Sequence, residues 1–225
     1  MTLEDVQSRV ERESARRGLR SWPSPRPPLE SPGEQEYSRV SKPSRYAIVH
    51  LRARLWAEAL AEVPGVSAAS PAPGLLDDER QWGRFDRAVT IRSARDGTLA
   101  LLLLERDVPV EGQEDTLAVL HIAVDVPQAS VAVLPDCGCD ACDSGSQDLL
   151  EAVDDAIRRV VGGPFVFLLG RQWQAYWHPD GGGSAGAGRG PDHGQVMHWC
   201  QRLAAGDRPR LPKDVRAFVG RSWFD

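Results

Sequence analysis

The stretch from Ala88 to Leu134 constrains the fold most, because its apolar segments are joined by connections too short to hold a crossover helix. Val89 and Ile91 alternate with Ala88, Thr90 and Arg92, the period-two pattern of a half-buried strand. Asp96-Gly97 signals a tight turn, and the apolar run from Thr98 to Glu105, nearly continuous leucine, reads as the next strand. Thr116 to Val126 reads as a third strand and Ser130 to Leu134 as a fourth, reached through Pro127. Parallel neighbours need a crossover of about a dozen residues or more, so these strands are expected to form an antiparallel meander. Leu101 to Leu104, apolar at every position, are expected at its centre with both faces covered.

Helical periods flank the meander. Residues 2–18 read as a charged helix capped by Thr2, with Glu4 and Asp5 in its first turn and a thin stripe of Leu3, Val6 and Val10. Residues 20–36 carry Pro23, Pro25, Pro27, Pro28, Pro32 and Gly33; each proline removes a donor and fixes φ, so an extended arm or linker is expected. Its spacing also suits a proline-recognising partner module. Residues 43–63 read as a helix with Pro43 in the first turn, Ile48, Leu51, Leu55, Ala59 and Val63 on one face, and Pro64-Gly65 as the stop. A connection then runs to about residue 80.

Residues 146–161 form the cleanest helix. Leu149, Leu150, Val153, Ala156, Ile157, Val160 and Val161 share a face, with Glu151, Asp154, Asp155, Arg158 and Arg159 opposite. Ser144 and Gln147 fit a capping box, and Gly162-Gly163-Pro164 ends the helix. Two short strands, Phe165 to Leu169 and Gln172 to Trp177, precede a Gly-rich loop at 180–194, a helix over 195–205, and a tail with one or two helical turns. There is no internal repeat. The expected architecture is α+β: an antiparallel sheet of four to six strands with the two main amphipathic helices packed on one face. Residues 1–36 are expected as an N-terminal helix and Pro-rich linker, and 37–225 as a single domain.

Composition narrows the function classes. The 41% hydrophobic and 26% charged content is a globular mix. A net charge of −5 and a pI near 5.6 lack the basic surface that general nucleic-acid binding needs. No run reaches the roughly 18 apolar residues of a membrane span, and the N-terminus lacks the apolar core of a secretory signal. A cytoplasmic protein with no membrane association is therefore expected. Its four cysteines stay reduced there, so metal or redox chemistry outranks a disulfide framework.

Three of those cysteines stand together as Cys137-Gly138-Cys139-Asp140-Ala141-Cys142, between the fourth strand and the 146–161 helix. Thiolates are soft ligands, and three on one turn can face a zinc ion that needs one more donor. Gly138 relaxes the backbone so that the first two sulfurs converge. Cys200, His198, His193 and His178 are candidates for the fourth ligand; Asp140 and Asp143 are adjacent but harder donors. The metal reading is Cys137, Cys139 and Cys142 with Cys200 or His198. A dithiol reading of Cys139 and Cys142 near a helix start stands beside it, without the parallel βαβ context of thioredoxin-like proteins. Inert thiols filling a tight turn are the third reading.

The decapeptide Tyr37-Ser38-Arg39-Val40-Ser41-Lys42-Pro43-Ser44-Arg45-Tyr46 leads into the first strong helix. Together with the later cysteine string running on to Asp143, it resembles a family of uncharacterised actinobacterial proteins, a domain of unknown function. The likeness covers roughly residues 37–163. It implies that Cys137, Cys139 and Cys142 belong to a family pattern, and it implies no activity. The Trp- and Pro-rich ending of that family is replaced here by Gly220-Arg221-Ser222-Trp223-Phe224.

Other features read as structure more readily than as sites. Gly186-Ala187-Gly188-Arg189-Gly190 precedes a helix that could seat a phosphate, but the Walker Lys-Ser/Thr and the dinucleotide spacing are missing. His121 shares a strand face with Leu117, Val119 and Ala123, the setting of a core histidine. No serine stands in a nucleophile elbow. Asp77-Asp78-Glu79 and Asp154-Asp155 read as solvated charge, and Trp173, Trp177 and Trp199 as a core edge or a pocket lining near His178 and His198. The expected function is a structural zinc site in a binding protein; the alternative is an enzyme pairing the cluster, or a metal on it, with a C-terminal histidine.

Overall fold

The structure, a computed structural model, describes residues 1–27, 30–72, 74, 76, 83–186 and 190–224. Pro28, Asp77-Asp78-Glu79, Ala187-Gly188-Arg189 and Asp225 lie outside them. The meander is present: β2 (Arg87–Ser93), β3 (Leu101–Pro109), β4 (Thr116–Val124) and β5 (Val126–Leu134) pair antiparallel in chain order. β1 (Val66–Ala69), in the stretch read as a connection, adds antiparallel to the free edge of β2. Leu101 and Leu103 join Leu120, Ile122 and Val124 in the main core, while Leu102 and Leu104 pack with Ala123 and Phe85 on the other face. The leucine run is thus covered on both sides, as expected.

Pro127 lies inside β5 rather than before it, which costs no ladder bond where β5 is the sheet edge. β4 stops at Val124 because Asp125 takes a left-handed φ of 55°, a region aspartate tolerates, and its Oδ1 accepts the Ala100 N–H at 2.8 Å.

A second antiparallel sheet has the order β8-β7-β6-β9, from β6 (Phe165–Leu169), β7 (Trp173–His178), β8 (Gly181–Gly186) and β9 (Arg216–Gly220). β8 occupies the segment read as loop, and β9 the tail read as helical. Glycine has no side chain to alternate, so β8 carries no period-two signal. β9 is drawn into strand form by pairing with the free edge of β6, a tertiary effect that overrides local preference.

Among the described residues, four α-helices cover the sheets: α1 (Leu3–Arg17), α2 (Ile48–Leu60), α3 (Ser146–Gly162) and α4 (His193–Ala204). α1 is capped by Thr2 as expected, and Asp5 completes a capping box with it. α2 follows a 3₁₀ turn at Pro43–Ala47, and its buried face is broader than the stripe read from the sequence. Leu51 is 37% exposed, whereas Val49, Arg52, Trp56 and Leu60 are buried. The reason is that α1, α3 and the sheet all pack on α2. Asp154, read as solvated, is buried for the same reason. It accepts Arg52 Nε and Nη2 at 2.8 and 2.5 Å and Trp56 Nε1 at 2.7 Å, while Arg52 Nη1 donates to Ser14 of α1 at 2.5 Å. α4 seals the outer face of the second sheet through Val196 and Cys200. No helix among the described residues is long and apolar enough to cross a membrane.

Glu105, on the core face of β3, is gripped by Arg54 of α2 at 2.8 and 2.5 Å and by Arg87 of β2 at 2.5 Å. Burial alone would raise its pKa; the hydrogen bonds from Arg54 and Arg87 outweigh it, and the carboxyl titrates below its ordinary value. A folded pKa below the unfolded one adds stability that is present above the unfolded value and lost as pH falls through the folded one. Urea unfolding across a pH series should therefore show Glu105→Gln less stable at neutral pH, with a flatter loss below about pH 4. An unchanged acid slope would contradict this account. Asp154→Ala strands Arg52 in the interior and should cost about 3–5 kcal/mol by the same measurement; a loss under about 1 kcal/mol would mean the pair is dispensable.

Candidate metal centre

β5 ends at Leu134 and α3 begins at Ser146, and the cysteine string fills the connection with a 3₁₀ turn at Asp140–Cys142. The sulfurs of Cys137, Cys139 and Cys142 all lie within 4.8 Å of one another. Cys139 is 4% exposed, whereas Cys137 and Cys142 are exposed. Gly138 also leaves room for a neighbour: a Cβ there would meet Leu117 Cδ2 at 2.5 Å, so a larger residue requires the Leu117 side chain to shift.

The two aspartates of the string hold the loop in place. Asp140 Oδ1 accepts the Ser41 N–H at 3.0 Å, and its Oδ2 accepts the Ser41 hydroxyl at 2.5 Å and Arg39 Nε at 2.8 Å. The Asp140 N–H donates to the Arg39 carbonyl at 2.7 Å, closing the clasp. Asp143 Oδ1 accepts from Trp22 Nε1 at 3.0 Å and from the Gly145 N–H at 2.9 Å, and Oδ2 meets Arg45 Nη2 at 2.9 Å. The Arg45 guanidinium lies over the Trp22 and Tyr46 rings. Arg26, tied to Glu36, donates to the carbonyls of Asp140 and Ala141 at 3.2 and 2.5 Å.

The Pro-rich arm also starts α3. The Ser146 N–H donates to the Trp22 carbonyl at 3.0 Å, and Ser146 Oγ accepts the Trp22 N–H at 3.1 Å. Gly145 is the N-cap and lends no side chain, so the capping box expected from Ser144 and Gln147 is absent and the arm satisfies the helix end instead. Gly145, at φ 97°, admits the arm: a Cβ would meet Ser24 N at 2.7 Å. An open cleft of about 850 Å³ between the arm and the start of α3 has Cys142 in its wall.

The three thiols interact with one another. Burial would raise the Cys139 pKa, but donation from the Cys137 and Cys142 thiols and from the N–H groups of Cys142 and Ser38 outweighs it, bringing Cys139 down to about 7. Ser38 reaches the sulfur from a left-handed φ of 63°. Cys142, which donates to Cys139 and is further desolvated, is pushed up to about 11. Cys137 and Cys139 sulfurs are 3.1 Å apart. Three sulfurs already this close are a ready soft-donor set.

The other ligand candidates do not join this group among the described residues. Cys200 is fully buried on α4 among Val166, Leu168, Ala175 and Val196, where burial pushes its thiol up to about 12. His198 is exposed on the same helix. His193 bonds Ser184 Oγ at 2.8 Å, and His178 Nδ1 lies 3.3 Å from Asp180 Oδ2. His121 packs edge-on to Phe85 at 5.2 Å, and burial lowers its pKa to about 4. Trp173, Trp177 and Trp199 pack against the α4 cluster, which favours the core-edge reading. The residues missed from the sequence are Trp22, Arg26, Arg39, Ser41 and Arg45. For Arg39, Ser41 and Arg45 the signal was the 37–46 string itself, which touches the cysteine string from 99 residues away, whereas Trp22 and Arg26 lie in the Pro-rich arm and had none.

Fold and site together define an α+β protein with a clasped three-cysteine loop. The chain belongs to the family of unknown function DUF6226, whose model matches residues 10–225. The match takes in the second sheet and the C-terminal segment, beyond the span on which the cysteine resemblance rests. A search of curated proteins and a search of solved structures returned no match.

Asp140→Ala should release residues 38–41 from the loop and cost about 1–3 kcal/mol, because it leaves several donors without an acceptor. Arg39→Ala, which removes one half-exposed pair, should cost about 1 kcal/mol or less. Urea unfolding with amide hydrogen exchange at Ser41 reads both, and equal effects would contradict the clasp.

Proposed function

We propose that the protein binds one zinc ion on Cys137, Cys139 and Cys142 in a reducing, cytoplasmic setting, and that it acts through binding rather than catalysis. The carrying observation is the convergence of three sulfurs within 4.8 Å on a loop already fixed by its aspartates. Zinc–sulfur bonds of about 2.3 Å in a tetrahedron need sulfurs about 3.8 Å apart, so small side-chain movements suffice. Bound there, zinc would tie the end of β5 to the 3₁₀ turn and, through the Ser38 contact to Cys139, to the segment before α2. The fourth donor comes from water or from outside the described residues. A site with an open position meets a ligand or partner more readily than a closed one does. A catalytic histidine from the C-terminal third has no support in the geometry, since no histidine nitrogen joins the sulfurs among the described residues.

Elemental analysis of protein purified under reducing conditions tests this reading. About one zinc per chain is expected, lost in Cys139→Ser and kept in Cys200→Ser. Absence of stoichiometric metal, even after zinc is supplied to the reduced protein, would overturn it.

A further inference from the structure

We propose that the same three thiols capture trivalent arsenic, taken up as arsenite. The inference rests on the reading of Cys137, Cys139 and Cys142 as a ligand set, and adds an ion whose valence the set fills. Arsenic(III) forms three bonds and keeps a lone pair in the fourth direction. Three mutually close sulfurs, joined by no other His, Cys, Asp or Glu donor among the described residues, match that demand. Zinc on the same atoms needs a fourth donor from elsewhere.

Charge points the same way. Three thiolates on a divalent cation leave a net negative site, and uncompensated charge is costly where water is partly excluded. The arginines that hold the loop are already committed: Arg26 to Glu36, Arg39 to Asp140 and Arg45 to Asp143. An arsenic trithiolate is neutral and needs no counter-ion. A lone pair also compresses the angles between bonds below tetrahedral, drawing the sulfurs together, and Cys137 and Cys139 already stand 3.1 Å apart. Cys137 and Cys142 are exposed, which gives arsenite a path to the buried Cys139. The clasp on Asp140 and Asp143 fixes the loop beforehand and so lowers the cost of ordering it on binding.

The step balances without an oxidant. One arsenous acid reacts with three thiols; three As–O bonds break, three As–S bonds form, and each thiol proton leaves with a hydroxide as water.

Sodium arsenite added to the reduced full-length protein, in a phosphine reductant, and followed by native mass spectrometry provides the test. A mass gain of one arsenic less three hydrogens is expected, which counts three bonds directly. Cys137→Ser, Cys139→Ser and Cys142→Ser should each weaken binding on the order of a hundredfold, the loss of one tethered donor. Cys200→Ser should leave binding unchanged. A two-thiol adduct, heavier by one water, or unchanged binding in any of the three loop variants would overturn the proposal, and the wild-type mass decides even where a variant fails to fold. A parallel titration with zinc alone separates the readings. Zinc without arsenite sinks this inference only; arsenite without zinc upholds it and sinks the zinc assignment; binding of neither sinks both.

Discussion

The buried ion pair between Arg52 of α2 and Asp154 of α3 fixes the geometry on which the rest of the molecule depends. Two charges withdrawn from water are tolerated only when their hydrogen-bonding capacity is met, and here both carboxylate oxygens and the guanidinium fork are engaged. Trp56 and Ser14 complete the set, so α1, α2 and α3 share one polar junction inside an apolar surround. That junction sets α3 on the sheet. The start of α3 in turn sets where the cysteine loop must end.

From the helix outward, a division of labour within the seven residues 137–143 explains the site. The three cysteines supply soft donors, and Gly138 yields space to Leu117. Asp140 and Asp143 point the other way, into the arm and the segment before α2. Carboxylates beside thiolates are often taken for ligands; here each is held by three donors and serves as an anchor. The loop's position is thereby set by hydrogen bonds to its aspartates, and the sulfurs are brought together as a consequence.

Much of the fold was legible because it rests on period and punctuation. The meander, the buried leucine run and the α3 face follow from alternation, turn residues and a 3.6-residue repeat. What was hidden follows from tertiary partners. β8 has glycines where a strand would alternate, β9 becomes a strand through pairing with β6, and Arg52 turns inward because Asp154 meets it. At the site, the donor residues could be read from their spacing, whereas the clasp could not, since Ser41 and Asp140 are 99 residues apart. The two strings that together carry the family resemblance prove to be halves of one structure. The fourth-ligand candidates were proposed without regard to distance, and α4, packed on the outer face of the second sheet, keeps Cys200 sealed in its own apolar cluster.

The central claim is that Cys137, Cys139 and Cys142 act as one three-sulfur ligand set. Zinc-edge X-ray absorption on the loaded protein tests it most directly. The account predicts three sulfur neighbours at about 2.3 Å with one lighter donor completing the shell. A four-sulfur shell, or a shell with fewer than three sulfurs, would contradict it.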